Sequence, residues 1–325
     1  TDYANKAELE ALPGVKSVYV APTFYLPEDG KETDYTPYTN NATTMIGADV
    51  LNTSGYTGKG MRIAILDTGI LVDHPSFAAL PDKDLSYEDY LADLGLLDAI
   101  QVENALDSLH LNANGVTAQQ LYCSSKIPFA FNYSNGEFDV SNTYAGSDHG
   151  THVAGIAAAN KIADSRVVGV APDAQLVVMQ VFASGGAGWA TILAALEDCV
   201  RLKVDSVNLS LGSAAGFTDT PDMIEVMKQF QDSDIQVLIA AGNDTNNAQG
   251  NHYGLNKSLL ANPDTGLVGT PATYSAALSV ASVDNDGYTQ LYITVDGQEF
   301  GYLDTAAKAA TNFQENFRNK ELEYV

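Results

Sequence analysis

The chain has 325 residues, 45% of them hydrophobic, enough to bury one large core and to exclude a disordered protein. Its 16 lysines and arginines face 41 acidic residues, a formal charge of -25, so its own field repels phosphate backbones and anionic lipid and sets nucleic acid and membrane surfaces aside as partners. No run approaches the roughly 20 apolar residues of a membrane span, and the start of the chain lacks the pattern of a signal peptide.

In chain order, residues 1 to about 27, AELEALPGVKSVYVAPTFYLPE and its neighbours, read as the end of a helix, a Pro-Gly turn and a strand. MRIAIL at 61–66 is an apolar, β-branched run that reads as a strand. Residues 82–145 read as a long insertion with helical stretches such as EDYLADLGLL; the segment includes Cys123, which carries no motif. GTHVAGIAAAN, from Gly150, reads as a helix whose Gly150, Ala154, Gly155, Ala157 and Ala158 leave room for other backbone to lie against it. AQLVVMQVF at 174–182, DSVNLSL at 205–211, IQVLIAA at 235–241 and ALSVASV at 277–283 read as further strands.

Most of these runs are continuously apolar rather than alternating, the pattern of strands buried on both faces of a parallel sheet. The segments between them are helical. TILAALEDCVRL places Ile192, Leu196 and Val200 on one face, with Cys199 as a buried structural thiol, and TPDMIEVMKQF opens with Thr220 and Pro221 as N-cap and first helical residue. The alternation predicts an α/β protein with a doubly wound, mainly parallel sheet. YITVDGQEFGYLDT at 292–305 reads as a hairpin around Asp296 and Gly297.

Ligands of open α/β sheets sit beyond the carboxyl ends of the strands. Asp67 stands there after MRIAIL, Ser210, Leu211 and Gly212 end the third run, and Gly242 and Asn243 follow the fourth. His149 stands at the mouth of the small-residue helix, held rigidly. Its neutral imidazole can accept a proton from a hydroxyl, and a carboxylate behind it, supplied by Asp67, can fix the tautomer and stabilise the imidazolium.

HGTHVAG, AILDTG and AAGN together resemble the signature of the subtilisin-like serine proteases, in that family's order and over roughly residues 46–285. The resemblance implies that Asp67 orients His149, that His149 is general base and acid, and that Asn243 donates its amide to the tetrahedral oxyanion. It further implies that Gly186, Ala187 and Gly188 on one side and Ser210, Leu211 and Gly212 on the other are edges that pair with an extended peptide, beside Gly242. Gly269 and Thr270 resemble the wall of the pocket for the residue before the cut, and the family's precedent makes Thr270-Pro271 a candidate cis bond.

KIPFAFNYSNGEFDV at 126–140, and the long interval from Asp67 to His149, resemble the lactocepin-type cell-envelope proteinases of Gram-positive bacteria. That resemblance implies three parts: residues 1–27 as the end of an inhibitory propeptide that occupies the cleft until cleaved, 28–285 as the catalytic domain, and 286–325 as the start of an inserted protease-associated domain. It also implies a secreted or wall-associated protein acting on peptides or proteins.

The family's Gly-Thr-Ser-Met-Ala nucleophile motif does not occur; its nearest imitation, Gly269-Thr270-Pro271-Ala272, has proline in place of the hydroxyl. The expectation is that the chain stops inside the insertion, before the serine, and is inactive alone. A noncatalytic pseudoprotease that binds peptides or host proteins is the alternative.

An aspartic protease is disfavoured, because the second Asp-Thr-Gly, at Asp264, follows Asn262-Pro263 instead of an apolar loop. A zinc helix is disfavoured too: His149 and His152 stand three apart, and the metalloprotease pattern needs four and a glutamate. His152 is expected to be a packed helix residue, and His74, His110 and His252 to lie in turns or on the surface. No cofactor is required; calcium is common in the family, but NKIADSRVVG at 160–169 does not match its main calcium loop, and no metal ligand is assigned.

Overall fold

A computed structural model describes residues 6–15, 18, 23–24, 39–80, 95–141, 147–162, 168–184, 186–213, 221–243, 268–283, 291–295 and 297–302. Its first elements are helix α1 (Lys6–Glu10), strand β1 (Thr23–Phe24), helices α2 (Thr39–Met45) and α3 (Ala48–Thr53), and strand β2 (Arg62–Asp67). Helices α4 (Ala99–Ala105) and α5 (Ala118–Leu121), strand β3 (Phe129–Asn132) and helix α6 (His149–Ala158) follow. After them come β4 (Gln175–Gln180), β5 (Phe182–Ala183), β6 (Gly186–Gly188), α7 (Trp189–Arg201), β7 (Ser206–Leu209), α8 (Pro221–Gln231), β8 (Gln236–Ala240) and β9 (Ala277–Val280). The last are β10 (Leu291–Val295) and β11 (Gln298–Tyr302).

Six strands form one sheet in the order β3-β4-β2-β7-β8-β9, and every pairing in it is parallel. The sequence of β2 and β4 explains why their reading succeeded: alternate residues enter separate cores, whereas β7 buries only Val207 and Leu209, on one face. Ala64 and Leu66 of β2 and Val177 and Met179 of β4 join a cluster with Ile192, Leu196 and Cys199 of α7 and Met223, Val226 and Met227 of α8. Ile65 of β2 and Leu176 and Val178 of β4 face the other way, against Ala154 and Ala158 of α6. A strand covered on both faces has no polar side to alternate with. Each large side chain so buried contributes about 1.5–3 kcal/mol.

Two departures follow from local burial. The range read as an insertion carries β3, which pairs with β4 through Phe129↔Val177 to Asn132↔Gln180 and puts Phe129 and Phe131 into the core. The sheet therefore extends into residues 129–132. At the opposite edge, β9 is not covered on both faces: Leu278 is 59% exposed and Val280 48%.

Helix α8 starts at Pro221, as the first-turn proline predicts, while Thr220 lies outside the described residues. Strands β10 and β11 form the expected hairpin, with Val295 opposite Gln298 and Gly297 at φ 79°. Most of EDYLADLGLL, the second Asp-Thr-Gly, His252 and most of residues 286–325 lie outside the described residues. Cys199 is buried and Cys123 exposed, and both are free thiols. No described helix is long and apolar enough to cross a membrane.

Candidate active site

The topology puts β2 between β4 and β7, with β3 beyond β4 and β8 beyond β7. The chain's successive strands are thus laid down first on one side of β2 and then on the other, and the carboxyl end of β2 is where the two sets part, the crevice in which such sheets hold ligands. Asp67 is the last residue of β2, and only 1% of its surface is exposed.

Helix α6, packed on the sheet face opposite α7 and α8, starts at this point. His149 is its first residue, and its Nδ1 lies 2.9 Å from Asp67 Oδ1 and 3.0 Å from Oδ2. Buried, the carboxylate holds the proton on Nδ1, which leaves Nε2 as the ring nitrogen with the lone pair in the neutral imidazole. The His149 side chain is 13% exposed, so the ring is sheltered without being sealed off.

The approach of α6 requires Gly150. A Cβ there would stand 2.2 Å from the Gly69 carbonyl oxygen and 3.1 Å from Asp67 Cβ. Gly69 in turn sits at φ 92°, and a Cβ on it would stand 2.1 Å from Val140 O. At both glycines the nearest atom is a backbone carbonyl oxygen, which cannot be moved aside as a flexible side chain could. Gly155, expected to serve the same purpose, has nothing within 4 Å of its own Cβ position.

Asn243 lies three residues beyond the end of β8, the strand two places from β2 in the sheet, and is exposed. Gly242 before it takes φ 104°. This corner is tied to the 268–271 segment: Gly269 N donates to Ala241 O at 2.9 Å, while Ser213 and Thr270 exchange backbone hydrogen bonds of 2.9 and 3.0 Å. The Thr270-Pro271 bond is cis. Ser210 and Gly212 are partly exposed beyond β7, whereas Leu211 is 1% exposed and points into the core. Gly186, Ala187 and Gly188 constitute β6, which pairs antiparallel with β5 on one edge. On its other edge lies β1, also antiparallel, with Thr23 opposite Gly188 and Phe24 opposite Ala187.

Several groups escaped the sequence reading. Thr68 is 1% exposed and links Asp67 to α6, although nothing in ILDTG beyond a hydroxyl after the aspartate marks it. Asp198 on α7 is buried and accepts from His110 N at 2.9 Å and from the Tyr133 hydroxyl at 2.8 Å. Burial raises its carboxyl above the ordinary range, opposed by those hydrogen bonds. His110, expected in a turn or on the surface, also reaches Glu197 at 3.1 Å. His152 is exposed, not packed as expected, because it lies on the outer side of α6. Among the described residues no group of three or more His, Cys, Asp or Glu could hold a metal.

The subtilase family model matches residues 58–320. The chain belongs to the subtilase family. It is 31% identical over 98% of its length to the PII-type proteinase of Lacticaseibacillus paracasei, of which it covers 16%. To the PII-type proteinase of Lactococcus lactis subsp. cremoris it is 32% identical over 89% of its length, covering 14% of that protein. It is 30% identical over 80% of its length to a C5a peptidase of Streptococcus pyogenes, covering 21% of it. The chain thus spans a small part of the length of the curated relatives it matches. The likeness to PII-type proteinases agrees with the lactocepin resemblance of residues 126–140.

Proposed function

We propose that this subtilase is the base-bearing part of a serine endopeptidase that hydrolyses extended polypeptides, and that the nucleophilic serine comes from a longer parent protein. The observation that carries this reading is the bidentate approach of His149 Nδ1 to the buried Asp67 carboxylate. In this reading His149 Nε2 takes the serine proton during attack and returns it to the leaving amine. Asp67 fixes the tautomer and stabilises the imidazolium, and Asn243 donates to the oxyanion. The chemistry requires no cofactor, since base, orienting carboxylate and oxyanion donor are all side chains. In subtilisin, losing the oxyanion donor costs about 10²–10³ in turnover.

The substrate is read as an extended strand lying between Gly186–Gly188 and Ser210–Gly212, with Gly269 and Thr270 walling the pocket for the residue before the cut. Backbone pairing of this kind binds without reading sequence. The antiparallel seat of β1 on β6 supports a role for residues 1–27 as the end of an inhibitory segment. The exposed Leu278 and Val280 of β9 support further chain packing on that edge in the parent protein. Its relatives' names, one of them "Minor extracellular protease Vpr" of Bacillus subtilis, support a secreted or wall-associated location.

A fluorophosphonate probe tests the reading. It should label the parent protein once residues 1–27 are removed, lose that labelling in His149→Ala, and leave this 325-residue chain unlabelled. Failure to label the processed parent would favour a peptide-binding pseudoprotease instead.

A further inference from the structure

Helix α6 begins without help from its own N-cap residue: the Asp148 side chain makes no capping hydrogen bond. Yet the first N–H groups of a helix have no partner within it, and leaving one buried and unpaired costs about 1–3 kcal/mol. The missing acceptors come from elsewhere. His149 N donates to Ser147 Oγ at 3.3 Å, a long bond. Gly150 N donates to Thr68 Oγ1 at 2.9 Å, and this bond is buried.

The Thr68 hydroxyl has one proton to give, and it goes to Ser147 O at 3.2 Å. The backbone N of the same residue donates to Asp67 Oδ1 at 2.6 Å, fixing the carboxylate that faces His149. One buried residue therefore holds the aspartate by its backbone while its side chain grips the loop before α6 and the first turn of that helix. Across the turn, Leu71 N donates to Thr151 Oγ1 at 3.0 Å, a second tie between the Asp67 loop and α6.

We infer that Thr68 is a positioning residue of the candidate site: its hydroxyl caps α6 in trans and sets the register of His149 against Asp67. This rests on the proposed function only for its consequence in catalysis; the coupling itself is a property of the fold. Removing the hydroxyl while keeping the shape, as in Thr68→Val, strands the Gly150 N–H and the Ser147 carbonyl together. The first turn of α6 then loses one of its two hydrogen-bonded ties to the Asp67 loop, and His149 is its first residue.

The test uses this chain and the downfield ¹H resonance of the His149 Nδ1 proton, which depends on the bond to Asp67. Thr68→Ser, which keeps both hydrogen bonds, should retain the resonance, and Thr68→Val should lose it. Ser125→Ala is the control: it removes another buried hydroxyl, the acceptor for Leu80 N at 3.0 Å, at the far end of the sheet, and should leave the resonance in place despite a comparable loss of stability. If Thr68→Val does not fold, Thr68→Cys, with a poor acceptor of similar size, should broaden or weaken the signal. An unchanged signal in the Val or Cys variant, or its loss in the Ser variant or the control, overturns the inference. Because the readout needs no nucleophile, an inactive parent protein with a normal Thr68 response would sink the proposed function and leave this coupling standing.

Discussion

Gly150→Ala and Gly155→Ala make the same chemical change in one helix and should move stability in opposite directions. In a helix interior alanine is better than glycine by about 0.8–1 kcal/mol, because glycine loses more backbone freedom on folding. At Gly155 the new methyl meets nothing within 4 Å, so most of that gain should be realised. We expect Gly155→Ala to stabilise the chain by roughly 0.5–1 kcal/mol.

At Gly150 the methyl would stand 2.2 Å from the Gly69 carbonyl oxygen, about 1 Å inside van der Waals contact. Neither side yields cheaply. Gly69 is held by its own close approach to Val140 O, and the neighbouring Ile70 N donates to that same oxygen at 2.8 Å. Overpacking of this kind costs about 1–3 kcal/mol, more than the helical gain at a first-turn position, so Gly150→Ala should be a net loss. The two variants should therefore differ by roughly 1.5–4 kcal/mol in urea unfolding with unchanged m-values. If Gly150→Ala matches or exceeds the parent chain in stability, backbone contact does not set the distance between β2 and α6, and the account of the site's geometry fails.

Two other buried groups give independent predictions. Lys126 is fully buried, its Nζ donates to Pro172 O and Ala174 O at 2.7 Å each, and burial lowers its pKa from 10.5 to about 7, with Asp173 opposing. The unfolded chain thus binds one more proton across that window, so stability should rise by about 1.4 kcal/mol per pH unit between the two values. In Lys126→Met this contribution should be missing from urea unfolding measured as a function of pH; an identical slope in both proteins refutes it. Tyr133→Phe removes the hydroxyl that donates to buried Asp198 at 2.8 Å and should cost about 1–3 kcal/mol in thermal unfolding, whereas a change under about 0.5 kcal/mol would show that His110 alone satisfies the carboxylate.

What the sequence made legible follows from where each signal resides. Asp67 and His149 could be paired from the chain alone because each sits at the end of an element with an unmistakable pattern, one continuously apolar, the other built of small residues. β3 was missed because FAFN is only four residues long and its partner, β4, lies far along the chain; three apolar letters and an asparagine do not distinguish a strand from a turn of buried helix. β9 looked like its neighbours in composition, yet whether a face is covered depends on what packs there, and that is not written in the strand.

Thr68 shows the limit most sharply. Its role exists only because the fold brings the N–H of Gly150, 82 positions later, to its hydroxyl. The two glycines of α6 make the same point at shorter range: five residues apart, they face about 140° away from each other around the helix axis. One side of α6 meets the backbone of the Asp67 loop and the other does not, so the identical letter is a steric necessity at Gly150 and an avoidable entropic cost at Gly155. Periodicity could mark this helix as able to lie close to something. Only the path of the chain after β2 decides which of its glycines must.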